Sequence, residues 1–284
     1  MKNKNPEVVV LSDLHLGTYG CHAKELLQYL QSIHPRILIL NGDIIDIWSF
    51  NKKYFPTSHT EVIRKILKMA SKGVLVYYIP GNHDEVIRKY IGFKLGNIKV
   101  VEKLILNLHD AKHWIFHGDV FDSTTQGSAK IIAKLGGKGY DLLILLNRMV
   151  NYFLMILGKE KMSFSKKIKN GVKQAVSWIN NFENTAIDLA LQDRYQYVIC
   201  GHIHQPQMRK VERDGQVTTY MNSGDWIENL TALEYEDQSW TIYHYDKSEF
   251  VKVKPTEEFE KSEDAIHTLT PLPEKLLLHL NSLL

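Results

Sequence analysis

Five apolar runs in this chain end on short motifs of aspartate, histidine, glycine and asparagine, and that repeated pairing limits the folds open to it. Residues 7–12 (Glu-Val-Val-Val-Leu-Ser) stop at Asp13-Leu14-His15, and residues 36–40 stop at Asn41-Gly42-Asp43. Residues 74–79 stop at Pro80-Gly81-Asn82-His83-Asp84, residues 112–116 at His117-Gly118-Asp119, and residues 197–200 at Gly201-His202-Ile203-His204. Short β-branched runs of this kind read as strands buried on both faces. Helical stretches at about residues 23–33 and 60–72 separate the first three runs. The order strand, helix, strand, helix, strand marks βαβ units and a largely parallel sheet. Open α/β sheets build their sites beyond the carboxyl ends of the strands, where all five motifs fall.

Residues 100–106 and 112–116 read as a further pair of strands. Residues 208–211, 217–221, 231–235 and 240–245 alternate between turns and predict an antiparallel second half. A length of 284 residues suits one large α/β domain with an insertion, or two modest domains. The expected division is a main domain at 1–122 and 194–246, a helical insertion at 123–193 and a tail at 247–284. The insertion carries an apolar stretch at 142–157 whose polar residues Asn147, Arg148 and Asn151 share one narrow helical stripe. Lysines surround it, at 130, 134, 138, 159, 161, 166, 167, 169 and 173, against few acids (Asp141, Glu160). Two uses are open: a membrane surface or lipid-like ligand, or a helix hairpin packed on its own core with a solvated basic rim. The tail ends in a short amphipathic helical pattern at 273–284.

A net charge of +3 and a pI near 8.6 are too mild to argue for a nucleic-acid partner. Cys21 and Cys200, without metal-type spacing, read as reduced thiols. No leader-like segment precedes the first strand and no apolar run reaches the 18 or so residues a spanning helix needs, so a cytoplasmic protein is expected.

The motifs supply the mixed carboxylate, amide and imidazole donors that first-row divalent cations take up. Two cations about 3.5–4 Å apart can clamp the attacking and leaving oxygens of a displacement at phosphorus. Asp13 and His15, two residues apart, share a face and suit one cation. Asp43, on the neighbouring strand end, is placed to bridge. Asn82 offers a neutral oxygen, and His117, His202 and His204 complete the two sets. Asp46 and Asp119 read as supports for ligands or loops. The turn from Asn222 to Trp226 shapes either a site wall or only a turn. His22, His34, His59, His109, His113, His244, His267 and His279 read as surface or packing residues.

The ordered set Asp-x-His, Gly-Asp, Gly-Asn-His-Asp, His-Gly-Asp and Gly-His-x-His resembles the calcineurin-like metallophosphoesterase superfamily. That resemblance, spanning Asp13 to His204, implies an αββα sandwich of two mixed sheets. It implies Asp13, His15, Asp43 and His204 on a first cation and Asp43, Asn82, His117 and His202 on a second. It also implies His83 as a hydrogen-bond or proton donor to the leaving oxygen, oriented by Asp84, with water made nucleophilic by the cations. Manganese is expected, with zinc and iron as alternatives.

The wording Ser12-Asp13-Leu14-His15-Leu16-Gly17, Gly42-Asp43-Ile44-Ile45-Asp46-Ile47-Trp48 and Asn222-Ser223-Gly224-Asp225-Trp226 further resembles the UDP-2,3-diacylglucosamine diphosphatase group of lipid A synthesis. The implied products are UMP and 2,3-diacylglucosamine 1-phosphate, with the 123–193 insertion sheltering acyl chains as a lid and the enzyme lying peripherally on the cytoplasmic face of the inner membrane. The best-known branch of that group carries arginine where His83 stands, so this chain resembles a second branch. Another small phosphodiester or phosphomonoester is the alternative substrate, protein phosphatase activity a weaker one, and a non-enzymatic scaffold the alternative class.

Overall fold

The computed structural model describes residues 4–48, 54–121 and 166–250. In chain order these form β1 (Val8–Leu11), α1 (Ala23–Ser32), β2 (Ile37–Asn41), α2 (Thr57–Ser71), β3 (Leu75–Ile79), β4 (Lys94–Leu95), β5 (Ile98–Val100), β6 (Leu104–Leu108) and β7 (Ala111–Ile115). Then follow α3 (Lys166–Gln192), β8 (Tyr197–Cys200), β9 (Gln207–Arg213), β10 (Gln216–Asn222), β11 (Thr231–Glu236) and β12 (Ser239–His244). A seven-stranded sheet runs β12-β11-β1-β2-β3-β5-β4, and a five-stranded sheet runs β6-β7-β8-β10-β9. β1, β2, β3 and β5 are mutually parallel, as are β7, β8 and β10. Antiparallel strands flank both parallel sets.

The alternation of each strand sorts its side chains between layers. Val8 and Val10 of β1 face the other sheet and pack with Ile37, Ile39, Ile115, Ile199 and Met221. Val9 and Leu11 face the opposite way, onto α1 through Leu26, Tyr29 and Leu30 and onto α2 through Val62, Ile66 and Met69. On the five-stranded sheet, Val198, Cys200 and Tyr220 meet Phe182, Ala186, Ile187 and Ala190 of α3. Their spacing of three and four residues gives α3 one apolar stripe. Helix, sheet, sheet, helix is the resulting layer order, the expected αββα sandwich.

Residues 100–106 are not one strand. β5 ends at Val100 and β6 begins at Leu104, in the other sheet, with Glu102 and Lys103 exposed on the crossing. The late hairpins also divide: β9 and β10 extend the five-stranded sheet, with β10 parallel to β8, whereas β11 and β12 extend the other. The β4–β5 hairpin was not anticipated.

The chain separates into two compact units, Met1–Asp246 and Lys247–Leu284. The second is described only in its opening turn, Lys247–Phe250. The patterns at 142–157 and 273–284 lie outside the described residues. No helix among the described residues is long and apolar enough to cross a membrane.

Candidate metal centre

Parallel pairing puts the strand ends level. Leu11 pairs with Leu40 and Asn41 with Ile79 in one sheet, and Ile115 with Ile199 and Cys200 with Asn222 in the other. The loops that follow therefore leave one edge of the sandwich together. They bring three overlapping donor groups within 4.8 Å: Asp13 with His15 and His204, His15 with Asp43 and His83, and Asp43 with His117 and His202. Each of the first and third groups draws on both sheets. Asp43 stands between them, with Oδ2 3.8 Å from His15 Nε2 and 3.4 Å from His117 Nε2.

The backbone turns sharply to aim these side chains. Asp13, His15, Asp43, His202 and His204 all have φ between 49° and 67°, the left-handed region that non-glycine residues seldom enter. Asp and His are among the residue types enriched there, so the donors themselves can occupy those positions. Two preceding glycines are forced by space. A Cβ on Gly42 would lie 2.2 Å from the His117 ring, and one on Gly81 would lie 2.2 Å from Asp43 Oδ1.

Supporting bonds fix which atom each ligand presents. His117 Nδ1 donates to the Asn41 carbonyl at 2.8 Å, which turns Nε2 toward Asp43. His204 Nδ1 lies 3.0 Å from Asp225 Oδ2 and its Nε2 lies 3.1 Å from Asp13 Oδ1. Asp225 is itself held by the backbone N–H groups of Glu228 and Asn229, so the Asn222–Trp226 turn positions a site histidine rather than only closing a turn. The amide of His202 donates to Asp13 Oδ2, and that of His83 to Asp43 Oδ1. Asp46 Oδ2 faces two rings, at 3.4 Å from His15 Nδ1 and 3.1 Å from His83 Nδ1.

Several buried atoms in this cluster make no hydrogen bond: Asp13 Oδ1, His15 Nε2, Asn82 Oδ1 and His117 Nε2. A neutral His117 that donates from Nδ1 presents a lone pair at Nε2, directed at a carboxylate 3.4 Å away. Two facing acceptors require a positive charge between them, a proton or a cation. With protons alone, the His117 imidazole is driven up to about 10, because burial, which would lower it, is outweighed by Asp43 and Asp13. For Asp13 and Asp43, burial would raise the carboxyls, yet the neighbouring imidazoles hold both below the usual range. Fully buried carboxylates, unpaired imidazole nitrogens and an orphan amide oxygen fit divalent cations.

Asp84 does not orient His83. Its carboxylate accepts from the Ile44 and Gly81 amides at 2.9 and 2.6 Å and from the Tyr78 hydroxyl at 2.5 Å, pinning the loop after β3 to that after β2. The carboxylate beside the His83 ring is Asp46. Asp119 pairs with Arg88 at 2.5 Å, and Arg88 also donates to the Pro80 carbonyl, joining two loops across the sandwich. A further neighbour, half-exposed Trp48, lays its indole 4.7 Å from the His83 ring. Its signal was its place two residues after Asp46. Among the other histidines, His59 accepts from the Gly17 amide and His113 stacks on Tyr197, both packing roles. The substrate contacts expected at 123–193 fall largely outside the described residues.

Several known proteins are similar to this chain. A UDP-2,3-diacylglucosamine hydrolase from Proteus mirabilis (strain HI4320) is 24% identical over 209 residues, 72% of this chain and 85% of its own. A protein of the same name from Klebsiella pneumoniae is 24% identical over 238 residues, 83% of this chain and 97% of its own. A solved phosphoesterase from E. coli covers 84% of this chain and 99% of its own at 13% identity, with a TM-score of 0.40. The sequence profile of calcineurin-like phosphoesterases matches residues 6–206, which hold all five motifs, and the chain belongs to that family of metal-dependent phosphoester hydrolases.

Proposed function

We propose that this protein hydrolyses the pyrophosphate bond of UDP-2,3-diacylglucosamine, releasing UMP and 2,3-diacylglucosamine 1-phosphate, with two divalent cations, manganese foremost. The observation that carries the chemistry is Asp43, set between two donor groups drawn from both sheets. The substrate assignment draws support from the activity named for the relatives and from the residues flanking the motifs.

Asp13, His15, Asp43 and His204 would hold one cation, and Asp43, Asn82, His117 and His202 the other. When bound, these cations polarise the phosphoryl oxygens and lower the pKa of attacking water. His117 is held by Asn41 and His204 by Asp225, so neither ring must reorganise as charge develops. Asp46 faces His83 at Nδ1, so Nε2 would pass a proton to the leaving oxygen. The 123–193 insertion would shelter the acyl chains, at the cytoplasmic face of a membrane.

The test is a direct assay on UDP-2,3-diacylglucosamine with phosphorus detection of UMP, beside a soluble aryl phosphodiester. Turnover of both supports the assignment. Turnover of the aryl diester alone transfers it to another small phosphodiester, which His83 in place of the arginine of the better-known branch favours. Failure on both substrates with several divalent cations, and no metal by elemental analysis, would leave a scaffold.

A further inference from the structure

We propose that the segment Lys89 to Gly96, projecting from the loop after His83 into the β4–β5 hairpin, is a docking element for an anionic lipid surface. Eight consecutive residues here are exposed: Lys89, Tyr90, Ile91, Gly92, Phe93, Lys94, Leu95 and Gly96. Four are large and apolar, with Tyr90 57%, Phe93 53% and Leu95 62% exposed. Val86, in the same loop, is also exposed. Scattered apolar side chains on a surface need no explanation, but a contiguous run does.

The run is held out by backbone bonds and is not a slack loop. Phe93 N–H donates to the Tyr90 carbonyl, Gly92 N–H to the Val100 carbonyl, and Val100 N–H to the Phe93 carbonyl. Leu95 pairs with Ile98 and Lys94 with Lys99 across the hairpin.

Charge selects the occupant. Lys89 and Lys94 bracket the apolar residues, and between them there is no acid. Aromatic and aliphatic side chains beside lysines whose stems lie along apolar surface match a headgroup region, where the rings enter and the ammonium groups meet phosphates. A second copy is the poorer match. β4 is the edge of its sheet, and pairing it with its twin would place the lysines of each copy close together. The segment begins six residues after His83, and docking through it does not depend on which phosphoester is cleaved.

The experiment uses the full chain in flotation with vesicles of phosphatidylglycerol and phosphatidylethanolamine, against phosphatidylcholine alone, beside turnover of a soluble aryl phosphodiester. Wild-type protein should float with the anionic vesicles. F93S/L95S should bind at least about tenfold more weakly, since burial of each side chain is worth more than that factor. K89Q/K94Q should lose about fivefold per lysine, the equivalent of about 1 kcal/mol each, and lose the preference for anionic lipid. Both variants should keep aryl diester turnover, which shows that they fold. Wild-type protein that stays with the soluble fraction overturns the proposal, as do variants that float like wild type. A dimer that F93S/L95S converts to monomer with vesicle binding unchanged would assign the surface to a second copy and also overturn it.

Discussion

Asp43 does three things at once, and its variants should separate them. It reaches His15 and His117, it accepts the His83 amide, and it sits at a φ of 53°. Alanine at this position would therefore strain the backbone as well as delete a ligand, whereas asparagine tolerates the left-handed region. Asp43→Asn is expected to stay folded, to lose metal by elemental analysis and to lower turnover about 10²–10³-fold, the range for removing one group that stabilises transition-state charge. Asp225→Ala should act more mildly. It frees the His204 ring without deleting a donor, so metal affinity by titration should fall about 10–100-fold. Gly42→Ala tests the close approach: a Cβ against the His117 ring should cost both stability and metal content. The donors were legible because glycine, aspartate and histidine follow apolar runs. Asp46 was legible as a support but its partners were not, and Asp225 as an orienting group was not, since the histidine partners lie up to 37 positions away and only the fold makes them neighbours.

Among the elements, β7 carries a group with a measurable pH signature. His113 is fully buried between the sheets, stacked on Tyr197, and burial pushes its imidazole down to about 4. The unfolded chain takes up that proton near pH 6.5, so between pH 6.5 and 4 it binds more protons than the folded one. Stability is complete above pH 6.5 and falls as the pH drops toward 4, by an amount on the order of 3 kcal/mol. His113→Phe should flatten that decline, read as the difference between the two proteins in urea unfolding at pH 7 and 4.5. Strand β1 was legible because four consecutive buried residues leave an unbroken apolar signature. The break between β5 and β6 was hidden because no glycine or proline marks it; Glu102 and Lys103 are its only sign. The hairpin β4–β5 escaped for the opposite reason. Its apolar residues face outward, so pattern and burial disagree there.

Across the whole molecule, the metal-centre residues tie two sheets along one edge. Asp13, His15, Asp43 and Asn82 follow strands of one sheet, and His117, His202 and His204 follow strands of the other. Cations held there bind the folded state alone. At a free concentration a hundredfold above Kd, each should add about 2.7 kcal/mol. Chelation should then lower Tm by about 5–10 °C per site, seen by differential scanning fluorimetry with and without EDTA. The sandwich was legible from the motif order, but the way its first strand is enclosed was not. β1 lies between β2 and β11, so Val8, Val9 and Val10 have Tyr235, Glu234 and Leu233 as neighbours on one side. During synthesis, that flank of β1 stays open until residue 235 has left the ribosome. A message cut short before codon 231 would yield a protein with all five motifs and a bare apolar strand edge, and its fate should be aggregation.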